Sequence, residues 1–145
     1  MQHIGQLHDH ALMYLAPNTI PETLTRDQLH SLFAKAAVGV AAPWILIINC
    51  ADVKPTQIFS AKRVNDVLRA DYSKHIQGTW LMNTGPLLRG FISTFISAPG
   101  DEEAITILET DKLGLFIQLQ RAGCSYDMAN WFLQRLSGAS AANAL

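Results

Sequence analysis

This chain is short of charge, of cysteine and of every short motif that marks a common α/β chemistry. Only 16% of its 145 residues are charged, against about 25% in an ordinary soluble domain. Lys and Arg are scattered, and the formal net charge is −1, so the basic footprint of a nucleic-acid binder is missing. No basic region followed by an apolar run and a small-residue cleavage site opens the sequence. No apolar segment approaches the roughly 20 residues that cross a bilayer. These absences predict a soluble, cytoplasmic protein. The two cysteines, Cys50 and Cys124, are too sparse for a disulfide scaffold and lack metal-ligand spacing, which predicts reduced, packed thiols.

The turns after strands, where α/β chemistry concentrates, are equally bare. There is no G-x-G-x-x-G, no G-x-x-x-x-G-K-[ST], no G-x-S-x-G elbow and no C-x-x-C. Dinucleotide, nucleoside triphosphate, hydrolase and thioredoxin chemistries therefore lack their usual carriers. The expectation is a non-enzymatic protein with no catalytic residue, no metal and no cofactor. What the chain does have is apolar content, 49% of residues. On a chain this poor in charge, that implies a surface covered by a second subunit, a partner protein, a membrane or a bound lipid.

Hydrophobic periodicity organises the chain. His10–Ala16 is an apolar run suited to a strand buried on both faces, closed by Pro17-Asn18. Thr25 and Gln28 have capping-box spacing, and Leu29, Leu32, Phe33, Ala36 and Val40 follow at helical intervals up to Pro43. Trp44–Cys50, rich in branched apolar residues, is the strongest strand signal and should lie centrally in the sheet. Phe59, Val64, Val67, Leu68 and Tyr72 mark one face of a second helix. A third strand spans Thr79–Asn83, a third helix Leu87–Ile96, and a fourth strand Ala104–Leu108. Asp111–Gln120 and Tyr126–Leu136 close the chain as helices around Gly123, with Ser125 as an N-cap. Alternating strands and helices joined by short connections require crossovers, so the predicted class is α/β: a single layered domain with a mostly parallel sheet of four to five strands and flanking helices. Residues 1–136 form this domain, and 137–145 a flexible tail of small residues.

Few residues suggest chemistry. His8 and His10 share a side of a strand and His3 is near, but three imidazoles without a Cys or carboxylate pattern are ordinarily solvated. Cys50 ends the central strand beside Asp52; a nucleophilic thiol would need an electropositive neighbour, and a packed structural cysteine is the simpler reading. At Thr84-Gly85-Pro86, Pro86 suits a first helical turn and Arg89 adds a charge to the amides of the helix start. This is either a docking point for a phosphate or headgroup or a normally capped turn. Leu87, Leu88, Phe91, Ile92, Phe95 and Ile96 cover about half of the third helix, more than one sheet contact needs. Leu115 and Leu119 lie nearly opposite Leu113, Phe116 and Ile117 on the fourth, implying a second apolar contact there. Packing on the last helix accounts for part of this surface, and a ligand pocket or a subunit interface for the rest.

In order, Tyr72-Ser73-Lys74-His75-Ile76, Met82-Asn83-Thr84-Gly85-Pro86, the apolar helix Leu87–Ile96, Ala104–Leu108 and Leu113-Gly114-Leu115-Phe116-Ile117 resemble the core of a CRAL-TRIO lipid-binding domain. The resemblance covers about Trp44–Gln120. It departs at Ser73, where the family has proline, at the extra Gly85, and in lacking an N-terminal helical extension. It implies a hydrophobic ligand or lipid, with Leu87, Phe91, Ile92 and Phe95 lining an apolar site and Thr84 and Arg89 meeting a headgroup. The divergent BCH-type branch mainly binds proteins. The SpoIIAA-like or STAS group shares the fold and is the alternative. Its phosphorylatable serine would fall in Asp52-Val53-Lys54-Pro55-Thr56, where no serine stands. That alternative implies a protein-interaction module, as a homodimer or with another protein, with Leu115 and Leu119 at the interface.

Overall fold

Strand Trp44–Asn49 (β3) lies at the centre of a five-stranded sheet in the computed structural model, which describes residues 1–16, 25–41, 43–51, 75–91, 105–108 and 112–143. Around it the chain runs as β1 (Gln2–Leu7), β2 (His10–Leu15), α1 (Arg26–Ala37), β3, β4 (Ile76–Met82), α2 (Pro86–Phe91), β5 (Ile105–Ile107), α3 (Lys112–Arg121) and α4 (Tyr126–Asn143). Spatial order equals chain order, β1-β2-β3-β4-β5. The hairpin β1–β2 is antiparallel, and the remaining pairs are parallel. The protein is thus a single α/β domain with a mostly parallel sheet, as the alternation of elements predicts. The second helix over Phe59–Tyr72, the segment Ile92–Ile96 and the site Asp52–Thr56 lie outside the described residues.

Side chains alternate across the pleat, and the sequence supplies apolar residues at both parities. Trp44, Leu46 and Ile48 of β3 join Ala11, Met13 and Leu15 of β2 on one face, covered by Leu29 and Phe33 of α1 and Leu88 of α2. Ile47 joins Leu12, Tyr14, Trp80 and Met82 on the other, covered by Leu115 and Leu119 of α3 and Ala129, Phe132 and Leu136 of α4. Right-handed crossovers that all step the same way along a sheet place their helices on one face. That is where α1 and α2 lie, while α3 and α4, which follow the last strand, return across the opposite face.

Local chemistry fixes the ends of the helices. Thr25 caps α1 in a full capping box with Gln28, with distances of 3.2 Å and 2.9 Å. After α3, Gly123 adopts φ +100°, and two bonds, Cys124 N–H to the Leu119 carbonyl and Gly123 N–H to the Gln120 carbonyl, both 3.0 Å, make a Schellman closure. Ser125 Oγ then accepts the Met128 amide at 3.3 Å and starts α4. Two expectations change. The helix predicted to stop at Leu136 continues to Asn143, because Ala and Ser in that segment are tolerated in a helix. The predicted first strand is the second, preceded by β1, whose Gln2, His3, Gly5 and Gln6 dilute the strand pattern. No helix among the described residues is long and apolar enough to cross a membrane.

Leu115 and Leu119, expected at a subunit interface, are both 0% exposed inside the chain's own core. The sheet and α4 occupy the contact that their pattern signalled. The outward side of α3 instead carries Leu113 and Ile117.

β1 carries a bulge between His3 and Gly5, which turns both Ile4 and Gly5 toward α4. A Cβ on Gly5 would meet the Phe132 ring and stand 3.0 Å from Trp131 Cζ3. Gly5→Ala is therefore expected to destabilise the fold by about 1–3 kcal/mol through overpacking, visible as a lowered thermal midpoint. An unchanged midpoint would contradict the close seating of α4 on β1.

Candidate functional site

Open α/β sheets bind ligands at the carboxyl ends of their strands, where the strand order reverses and two helices diverge. Among the described strands the order never reverses, so the sheet offers no switch point of that kind. What its carboxyl end holds is a polar cluster. Asn49, the last residue of β3, donates from Nδ2 to Tyr14 Oη at 3.0 Å. Its Oδ1 accepts from Asn83 Nδ2 at 2.9 Å and from the Ala51 amide at 3.1 Å. Asn83, just beyond β4, sits at φ 55°, a left-handed conformation that asparagine tolerates better than most residues. The cluster ties the ends of β2, β3 and β4 together and sets the direction in which two connections leave the sheet.

Its chemistry is structural. Amides neither take nor release protons near neutral pH, and among the described residues no buried side-chain nitrogen or oxygen lacks a hydrogen-bond partner. The sequence carried a partial signal in Asn49 and Asn83, which end the apolar runs Ile-Ile-Asn and Leu-Met-Asn. Tyr14, 35 positions from Asn49 in sequence, could be joined to them only through the register of β2 on β3.

Arg89 and Thr84, the predicted polar part of a ligand site, do come together. Arg89 Nε donates to Thr84 Oγ1 at 2.9 Å, and its second guanidinium nitrogen donates to the Leu108 carbonyl at 3.3 Å. The guanidinium thereby pins α2 to the end of β5. Leu87, two positions earlier, is 59% exposed, because residues two apart on a helix do not share a side. Leu88, between them in sequence, enters the core. Phe91 is the last described residue of α2, and Ile92 and Phe95 lie outside the described residues. Of the six predicted ligand contacts, the structure thus unites Thr84 with Arg89 and turns Leu87 away from them. An open depression of about 340 Å³ runs along α1 beside Asp27, Gln28, Ser31, Leu32 and Lys35, four of them polar or charged.

The imidazoles do not converge. His8 occupies the β1–β2 turn at φ 51°, against Gly123, and His10 Nε2 is hydrogen-bonded to Gln77 Oε1 at 2.7 Å. Among the described residues no three His, Cys, Asp or Glu side chains are placed to hold a metal ion.

Burial pushes the Cys50 thiol up to about 12, and burial also raises that of Cys124. Both remain thiols at neutral pH, and a thiol is a poor nucleophile. The sign of the linkage is fixed by this. A group raised in the folded state stabilises the fold fully below its unfolded value near 9 and loses that contribution as pH climbs toward 12. Between those values stability should fall by up to about 1.4 kcal/mol per pH unit from this thiol. In Cys50→Ala the alkaline slope is expected to be shallower by that amount. Identical slopes in denaturant titrations would contradict the burial of a neutral thiol.

Neither a family model, a curated protein nor a solved structure matches this chain.

Proposed function

We propose that this chain is a non-enzymatic interaction module that binds protein across its outer surfaces. The observation that carries the reading is where the large exposed apolar side chains fall. Leu113 and Ile117 on α3, and Tyr126, Met128 and Trp131 on α4, stand outward from a core that Leu115, Leu119 and Phe132 already fill. In a sequence this poor in charge, such a face has a stronger reason to be covered than to stay wet. The uninterrupted order of the described strands favours the same reading, since it offers no switch point for a small molecule.

Among the resemblances, the SpoIIAA-like or STAS alternative fits this reading better than the CRAL-TRIO one. It uses a surface rather than a cavity, although Asp52–Thr56 departs from it in offering no serine for its phospho-switch. Two buried free thiols accord with a reducing, cytoplasmic setting. The lipid reading keeps two observations in its favour: Leu87 stands exposed on α2, and Thr84 and Arg89 are paired.

Native mass spectrometry with solvent extraction separates the two. The interaction reading expects no stoichiometric small molecule. A lipid carried at one per chain would overturn it. Trp131 is a built-in second probe, being 48% exposed while Trp44 and Trp80 are buried. In a variant whose other two tryptophans are replaced by Phe, iodide quenching of Trp131 is expected to fall when the partner binds. Unchanged quenching would remove α4 from the interface.

A further inference from the structure

We propose that the partner is a second copy of this chain, paired along the outer edge of β1; this rests on the interaction reading above and deepens it. The orientation of the edge follows from one hydrogen bond. Ala11 N–H donates to the Pro43 carbonyl at 3.0 Å, so the backbone of Ala11 points toward β3. In an antiparallel pair the residue opposite such a position bonds away from its neighbour. Gln6 is that residue, so its N–H and C=O face outward from the sheet. Orientation alternates along β2, which gives Met13 the same direction as Ala11 and makes its partner His3 the second outward residue. Among the described residues β1 is the last strand on its side, and these groups form an edge.

Edges of this kind are ordinarily blunted with Lys, Pro or charge. Gln2-His3-Ile4-Gly5-Gln6-Leu7 contains no Lys, Arg, Asp, Glu or Pro. Its one blunting feature, the bulge, leaves His3 and Gln6 three positions apart. A two-fold axis between them sets His3 of one copy opposite Gln6 of the other, and the self-pairing brings no fixed like charges together.

A second, independent observation selects a copy of this chain over a foreign peptide. α4 packs over β1, with the Trp131 and Phe132 rings against Gly5. Paired strands lie about 4.8 Å apart. A two-fold axis at the β1 edge, normal to the sheet, keeps α4 and its symmetry mate on the same face, side by side across the axis. The flank of α4 turned that way carries Met128 and Trp131, exposed, with Arg135 5.2 Å above the Trp131 ring. An added peptide strand would pair with the edge and leave this flank uncovered. A second copy covers both.

Sedimentation equilibrium on the full chain, on Gln6→Pro and on Met128→Glu tests this, with circular dichroism verifying that each variant folds. Gln6→Pro removes an outward N–H that β2 does not use, and proline is tolerated on edge strands. The wild type is expected to be a dimer, and each variant to dissociate at least about tenfold more readily. A wild type that stays monomeric at every soluble concentration overturns the proposal. A dimer that survives Gln6→Pro also overturns it while leaving the interaction reading intact, since another surface then makes the contact. Should Gln6→Pro fail to fold, Met128→Glu decides alone: an undiminished dimer excludes the α4 flank and the proposal with it.

Discussion

Everything in this fold depends on one strand being buried on both faces. Trp44, Leu46 and Ile48 look one way and Ile47 the other, all four buried. A slip of one residue would exchange the two sets, and the in-step pairing of β3 with β2 along its length and with β4 from Ile45 onward prevents it. Because both parities of β3 are apolar, the sheet must be covered twice. The crossover helices cover one face, and only a terminal helical hairpin is left for the other. The Schellman turn at Gly123 and the Ser125 cap that shape this hairpin follow from the demand that β3 makes.

That solution shapes what the protein can do. The described strands, added strictly in sequence, give a sheet with no reversal, and the carboxyl ends of β2 to β4 are tied together by the Tyr14–Asn49–Asn83 cluster. Arg89, which in isolation reads as an anion anchor, is spent on Thr84 and the Leu108 carbonyl. The recognition proposed above lies on the outside of the molecule. There the outward sides of α3 and α4 and the outer edge of β1 stand with apolar atoms and backbone groups toward solvent.

The legible part of the fold is the part written in local pattern. Trp44–Asn49 announces itself by its branched apolar run, α1 by Thr25 and Gln28, and α4 by Ser125. β1 did not, because an edge strand solvated on one face needs only Ile4 and Leu7 to be apolar, and two residues make no period. Leu115 and Leu119 were legible as a second apolar stripe, yet the sequence could not say whether α4 or another chain meets it; α4 does. The site was legible only in pieces. The Thr84–Arg89 pairing joins residues five apart in sequence and could be anticipated, whereas the Tyr14–Asn49–Asn83 cluster depends on strand register. The outward turn of Gln6 depends on a hydrogen bond between Ala11 and Pro43 that no pattern records.

The most direct measurement is amide hydrogen exchange at residue resolution, by NMR, across a dilution series. If the edge of β1 is where a second chain binds, the amides of His3 and Gln6 exchange fast in dilute solution and slow markedly on concentration, while those of Gly5 and Leu7, which face β2, are protected throughout. Rates at His3 and Gln6 that do not change with concentration would contradict the account.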